Sequence, residues 1–297
     1  MRALGIRRLP RGRQTLDEKA RADAPGGFVT LSEGVTHYET AGPTGGPTVV
    51  LIHGFSVPAF IWSPAFETIG EAGFRVVRYD LFGRGYSDRP QGPYGRGRFD
   101  RQLLDLIAAL ELGPSVDLMG LSMGGAIAVD FTDRHSDMVS SLTLIAPAGL
   151  PMKTLWTLRL LHVPLLGELL MATAGRRVLV SSLIRDFRMP ELLPALTPQY
   201  LAQMRYRGFT RALLSTIRHG PLRGMAPAYR RVGDRNLPIL LIWGREDTTV
   251  PFALSERVRA ATPNAEFHAI DGGGHVPHME QPELVNGHLV NFLARQR

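Results

Sequence analysis

A serine, a carboxylate and a histidine, the set that can cleave an acyl bond, stand in suitable settings in this chain of 297 residues. The serine is Ser122, in Gly120-Leu121-Ser122-Met123-Gly124-Gly125. It follows the apolar run Ser115 to Met119 and opens a helix-like stretch, Ala126 to Arg134, so the spacing Gly-x-Ser-x-Gly lies in a strand–turn–helix context. A serine on so tight a turn is strained and exposes its hydroxyl, and side chains two positions to either side would collide with the turn. The N–H of Met123 then falls at a helix N-terminus, where partial positive charge can stabilise an oxyanion.

The carboxylate and the histidine follow in order. The apolar run Pro238 to Trp243 leads into Gly244-Arg245-Glu246-Asp247-Thr248-Thr249-Val250-Pro251. Asp247 is the candidate to orient an imidazole and stabilise its charged form; Glu246 is the competitor. The strand-like Ala265 to Ile270 leads into Asp271-Gly272-Gly273-Gly274-His275, with His278 three residues on. The glycines ending at Gly274 let the backbone approach a site, which favours His275 as the base. Upstream, Pro47 to Ile52 reads as a buried strand ending in His53-Gly54-Phe55. The N–H of Phe55 is the second candidate oxyanion donor, and His53 is expected to be structural. Trp62 is a candidate for the wall of a substrate pocket, with ordinary core as its other reading.

Elements to position these residues are legible around them. Strand-like segments lie near 35–39, 47–52, 75–79, 115–120, 140–146, 238–243 and 265–270, with a weaker one near Phe28. Helical patterns fill 64–72, 99–111, 123–134, 252–261 and 282–295. This alternation predicts an α/β fold with a mainly parallel sheet covered by helices on both faces. Every candidate catalytic residue falls just beyond the carboxyl end of a strand, where open α/β sheets place their sites.

With the order Ser122, Asp247, His275 the chain resembles the α/β-hydrolase superfamily, and within it the serine-nucleophile, lid-bearing esterase and lipase-like members of the monoacylglycerol-lipase type. The resemblance runs from about Phe28 to Leu293. It includes Tyr79-Asp80-Leu81-Phe82-Gly83-Arg84-Gly85-Tyr86-Ser87-Asp88-Arg89-Pro90 after the fourth strand, Gly244-x-x-Asp247-x-x-x-Pro251, and Gly274-His275-x-x-x-x-Glu280-x-Pro282. It implies an α/β-hydrolase fold, Ser122 as nucleophile, His275 as general base and acid, Asp247 as orienting carboxylate, an oxyanion hole at Phe55 and Met123, and cleavage of carboxylic esters without cofactor or metal. Carboxylate-nucleophile relatives are disfavoured by Ser122. Carbon–carbon bond hydrolases of ring-cleavage products commonly carry Trp after the base and Asn before the serine, where this chain has Val276 and Leu121. That activity and a non-catalytic ligand-binding role are the alternatives.

The expected organisation is a flexible basic arm over 1–25, a hydrolase core over 26–146 and 236–297, and a helical lid over 147–235. The lid segment breaks the strand–helix alternation and is rich in apolar residues, from Leu155, Trp156 and Leu158 to Leu169, Leu170 and Met171, with Pro164 as a break. It also holds thirteen Arg and one Lys against four acids, about +10, whereas the whole chain is +7. Such a segment could rest on an anionic membrane surface, steer acidic substrates, or simply be a solvated charged face over an apolar pocket. No nucleic-acid-binding motif accompanies the charge. The absence of cysteine rules out disulfides, thiolate nucleophiles and cysteine zinc sites. No run of about 20 apolar residues or signal-peptide core is present, so the default expectation is cytoplasmic, with peripheral membrane contact as the variant.

Overall fold

A computed structural model describes residues 12–152 and 159–297. Eight strands form one sheet: β1 (Gly27–Leu31), β2 (Gly34–Ala41), β3 (Thr48–Ile52), β4 (Arg75–Tyr79), β5 (Val116–Leu121), β6 (Val139–Ile145), β7 (Ile239–Gly244) and β8 (Glu266–Ile270). Their order is β1-β2-β4-β3-β5-β6-β7-β8. The pairs β1–β2 and β2–β4 are antiparallel and all the others parallel. The strand near Phe28 is therefore real, as the outermost hairpin partner of β2.

The parallel centre is buried on both faces, which is why β3, β5 and β7 read as unbroken apolar runs. Alternate side chains serve alternate faces. Val50, Ile52, Leu118 and Leu241 join one core with the helices Arg96–Ala109, Met123–Arg134 and Ala226–Gly233. Val49, Leu51, Met119 and Leu240 join the other with Ser63–Glu71 and Pro282–Ala294. The helix Met123–Arg134 is buried over ten of its residues, so it is apolar nearly all round rather than amphipathic.

Between β6 and β7 the chain leaves the sheet and builds a helical insertion: Leu166–Leu170, Arg176–Asp186, Leu193–Gln203, Phe209–His219 and Ala226–Gly233 among the described residues. A break in helix surrounds Pro164, as expected. Leu155, Trp156 and Leu158 lie outside the described residues, as does the arm up to residue 11. The remainder of that arm departs from the expectation of flexibility. Gln14 exchanges backbone hydrogen bonds with Arg205 (2.9 Å) and Arg207 (2.8 Å) of the insertion. Asp17 caps a short helix, Glu18–Arg21, and Arg21 pairs with Asp88 at 2.6 Å. A capped turn and an ion pair tie down what composition alone presents as a loose basic tail. Among the described residues no helix is long and apolar enough to cross a membrane.

Candidate active site

β5 ends at Leu121, the helix begins at Met123, and Ser122 between them has φ 56° and ψ −117°. This positive φ is strained for a serine. Its surroundings hold it there. The Ser122 N–H donates to Ile145 O (2.9 Å), and its carbonyl accepts the N–H groups of Gly125 (3.0 Å) and Ala148 (2.9 Å). The flanking glycines are steric necessities. A Cβ at Gly120 would enter the Gly124 backbone, and one at Gly124 would enter the carbonyls of Ile52 and His53. Met123 opens the helix, so its N–H has no intrahelical acceptor.

The turn after β3 lies against this serine: a Cβ on Gly54 would stand 3.4 Å from Ser122 Cβ and 4.0 Å from Ser122 Oγ. His53 is fully buried and structural, as expected. Its Nε2 accepts the Leu81 N–H (2.9 Å), so Nδ1 carries the proton and donates to Gly54 O (2.9 Å). Burial lowers its pKa to about 4 and keeps it neutral. Its bond to Gly54 O polarises the peptide whose N–H belongs to Phe55. Arg84 and Asp80, in the turn after β4, brace the same loop. Arg84 Nε donates to Phe55 O (2.8 Å), and Asp80 Oδ1 accepts the Ala59 N–H (2.9 Å).

Beyond β7, Asp247 is buried. Its Oδ1 accepts the N–H groups of Thr249 (2.8 Å) and Val250 (2.9 Å), and its Oδ2 lies 2.8 Å from His275 Nδ1. The carboxylate thus fixes the imidazole with Nδ1 protonated and Nε2 free to act as a base. Burial disfavours the charged imidazole, but Asp247, with Asp186 and Glu280 farther out, outweighs it and raises the pKa of His275. Glu246, the competitor, is half exposed and paired with Arg188 at 2.7 Å. Of the glycines before His275, Gly274 is the one in tight contact, where a Cβ would meet Arg188 Cγ at 2.8 Å and Glu280 Oε1 at 2.9 Å. Across from it a Cβ on Gly244 would strike the carbonyls of Gly273 and Gly274, where the acid and base loops meet.

His278 sits in the short helix Pro277–Glu280, fully buried, donating Nε2–H to Ile61 O (3.0 Å). Burial lowers its pKa to about 3. Trp62 does not wall a pocket. It has no exposed surface and its ring lies 4.7 Å from that of His278, which makes it core beneath the base loop.

Sequence reasoning missed how the insertion grips the site. Asp186 O accepts the His275 N–H (3.2 Å), and Asp186 Oδ1 accepts the Thr249 hydroxyl (2.5 Å). Glu280 accepts the N–H groups of Gly274 (2.6 Å) and Arg188. On the other side Gln203 donates to Ser56 O (2.8 Å), and the Tyr200 hydroxyl donates to Ser56 Oγ (3.1 Å). Glu280 was visible as a motif residue without a role; the others carry no local signal. The result is a closed site, with Ser122 8 %, His275 6 % and Asp247 4 % exposed. Apolar residues of the insertion, among them Leu183, Phe187 and Leu196, belong to the same core as Leu121 and Val276. Among the described residues no cluster of acids and histidines suits a metal ion.

Comparison with known proteins gives the family and the fold. A family model described as "Alpha/beta hydrolase family" matches residues 49–288. A 2-hydroxy-6-oxononadienedioate/2-hydroxy-6-oxononatrienedioate hydrolase from Klebsiella pneumoniae is 30% identical over 265 residues, 84% of this chain and 88% of its own length. Among solved structures, a thermophilic esterase from Thermogutta terrifontis superposes with a TM-score of 0.77 at 23% identity, over 91% of this chain and 99% of its own. The enol-lactonase from Burkholderia xenovorans LB400 superposes with a TM-score of 0.76 at 22% identity, over 90% of this chain and all of its own.

Proposed function

The chain belongs to the alpha/beta hydrolase family, and on that premise we propose that it is a serine hydrolase cleaving carboxylic esters of apolar acids. The observation that carries the reading is the 2.8 Å contact of His275 Nδ1 with Asp247 Oδ2, at the same carboxyl edge of the sheet as the strained Ser122. In this mechanism His275 Nε2 takes the Ser122 proton as Oγ adds to the ester carbonyl. The N–H groups of Phe55 and Met123 hold the resulting oxyanion. Collapse breaks the bond to the alkoxy oxygen, which leaves with the proton from His275. Water, deprotonated by the same imidazole, adds to the acyl-enzyme, and the acid departs as Ser122 regains its proton.

The insertion acts as a lid. It holds both loops of the site and leaves the nucleophile nearly inaccessible, so it must shift for substrate to enter. Its apolar underside suits an acyl chain.

The second reading is carbon–carbon bond hydrolysis, favoured by the Klebsiella relative, whose name specifies a dioate substrate. Against it stand Leu121 and Val276 beside the nucleophile and base, both buried and apolar, where a doubly charged substrate would need polar partners.

The test is hydrolysis of p-nitrophenyl esters from acetate to palmitate by wild type and Ser122→Ala, with mass spectrometry of the trapped acyl-enzyme. Ester turnover and an acyl adduct, both lost in Ser122→Ala, are expected. Turnover of a vinylogous diketone acid without any ester turnover would overturn the ester reading in favour of the second.

A further inference from the structure

The insertion carries an apolar point that serves neither the core nor the catalytic machinery. After the turn Leu160–His162 the chain presents His162, Val163, Pro164 and Leu165 in succession to solvent, then Leu169 one helical turn on. Val163 is 46 %, Leu169 59 % and Leu165 83 % exposed. Leu165 also has φ 65°, in the left-handed region that a leucine rarely occupies. A polar residue or glycine would fill so exposed and strained a position more comfortably, so the apolar side chain calls for a partner.

The point is built, not loose. One guanidinium clamps it: Arg218 donates to Leu161 O (2.8 Å), to Val163 O (3.3 Å) and to both oxygens of Glu168 (2.5 and 3.1 Å). Gly167 makes room for the clamp, since a Cβ there would meet Leu161 O and the Arg218 guanidinium. Backbone bonds Gly167 N–H to Val163 O (3.0 Å) and Leu169 N–H to Leu165 O (3.0 Å) close the turn.

Cations crowd its base. Arg223 touches His162, and partial burial together with Arg223, Arg218 and His219 lowers the His162 pKa. Glu168, held by Arg218, is the acid beside them. At larger scale the segment 147–235 carries about +10 while the whole chain is +7, so the rest of the molecule is slightly acidic. A negatively charged plane would therefore attract the insertion, which carries the Leu165 point, more than the body.

We propose that Val163, Leu165 and Leu169, with Arg223 at their base, are a docking point for an anionic lipid bilayer, the apolar side chains entering the headgroup layer and Arg223 meeting a lipid phosphate. This goes beyond the esterase reading and does not depend on it. Shallow insertion of a few apolar side chains plus basic attraction gives reversible, salt-sensitive attachment.

The test is co-sedimentation of the full chain with vesicles of phosphatidylcholine alone and of phosphatidylcholine with 30 mol% phosphatidylglycerol, at low and high salt. Binding to the anionic vesicles is expected, falling with salt and weak on the neutral ones. The double substitution Leu165→Asp, Leu169→Asp should weaken binding at least about tenfold, and Arg223→Glu at least about fivefold. Circular dichroism and thermal melting should stay near wild type, because all three side chains are exposed. Absence of vesicle binding, equal binding to both vesicle types, or unchanged binding by the double variant would each overturn the proposal. So would a concentration-dependent dimer that the same substitutions abolish, which would assign the point to a second copy of the chain.

Discussion

The backbone N–H of His275 donates to the carbonyl of Asp186, 3.2 Å away, so the candidate base is held by a residue of the insertion and not by the sheet alone. The Asp186 side chain extends the link, accepting from the hydroxyl of Thr249, whose own N–H donates to Asp247. One residue of the insertion thus touches both the base loop and the acid loop.

Asp186→Asn should move the pH profile. Asp247, Asp186 and Glu280 face His275 as acids, and His278 lies near it as a neutral imidazole. Removing one negative charge makes protonated His275 less favourable and lowers its pKa. Activity requires the neutral imidazole, so the acidic limb of kcat/KM should shift to lower pH by about 0.5–1 unit, with the plateau little changed because asparagine still accepts from Thr249. A fall in plateau with the limb unmoved would make Asp186 merely structural.

Asp247→Asn and Glu246→Gln separate the neighbouring carboxyls. Asparagine at 247 keeps the packing but can present its amide to Nδ1, favouring the wrong tautomer, and kcat should fall by about 10³–10⁴. Glu246 is half exposed in a surface pair with Arg188, and its loss should change activity less than about threefold. Steady-state kinetics on one ester decides; the reverse ranking would move the acid to Glu246.

Acid should destabilise the fold through two histidines. His53 and His278 are buried neutral, with burial lowering their pKa to about 4 and about 3. Below an unfolded-state pKa of about 6.5 the unfolded chain takes up protons that the native state refuses, so stability declines as pH falls from there toward those values. Each contributes a slope of about 1.4 kcal/mol per pH unit. His275, raised instead, acts in the opposite sense, its contribution being full below about 6.5 and lost as pH rises through its folded value. Urea melts of His278→Asn should be flatter with pH between 4 and 6.5 than those of wild type. Its kcat should stay close to wild type, since His278 bonds Ile61 and not the reacting groups.

The sheet and the three candidate catalytic residues were legible because their signals are local. Parallel strands buried on both faces are unbroken apolar runs, as in Thr48–Ile52 and Ile239–Gly244, and the glycine at 120 records a clash within one turn. The grip of the insertion was not legible. Asp186, Tyr200 and Gln203 reach backbone or hydroxyl groups far away in sequence, and hydrophobic periodicity reports that a face is buried, not what lies against it. The same limit explains Trp62, whose spacing after the His-Gly-Phe turn suited a pocket wall while its partner, His278, lies 216 residues further on. The ordered turn at Asp17 was masked by the basic composition around it.

Gly54→Ala and Gly120→Ala should fail in different ways. At Gly120 a methyl group would enter the Gly124 backbone, which cannot yield without breaking the serine turn. A loss of several kcal/mol, roughly 3 or more, is expected from such overpacking of a rigid core, visible as poor expression or a large drop in Tm. At Gly54 the methyl would stand at ordinary contact distance, 3.4 Å from Ser122 Cβ, so the fold should tolerate it within about 1 kcal/mol. It would also stand 4.0 Å from Ser122 Oγ, on the side from which the Phe55 N–H must reach the oxyanion. Catalysis should therefore suffer without unfolding, with kcat/KM down about 10- to 100-fold and Tm near wild type. Full activity in Gly54→Ala would mean that the substrate carbonyl does not lie between Gly54 and Ser122, and the assignment of Phe55 as an oxyanion donor would fall with it.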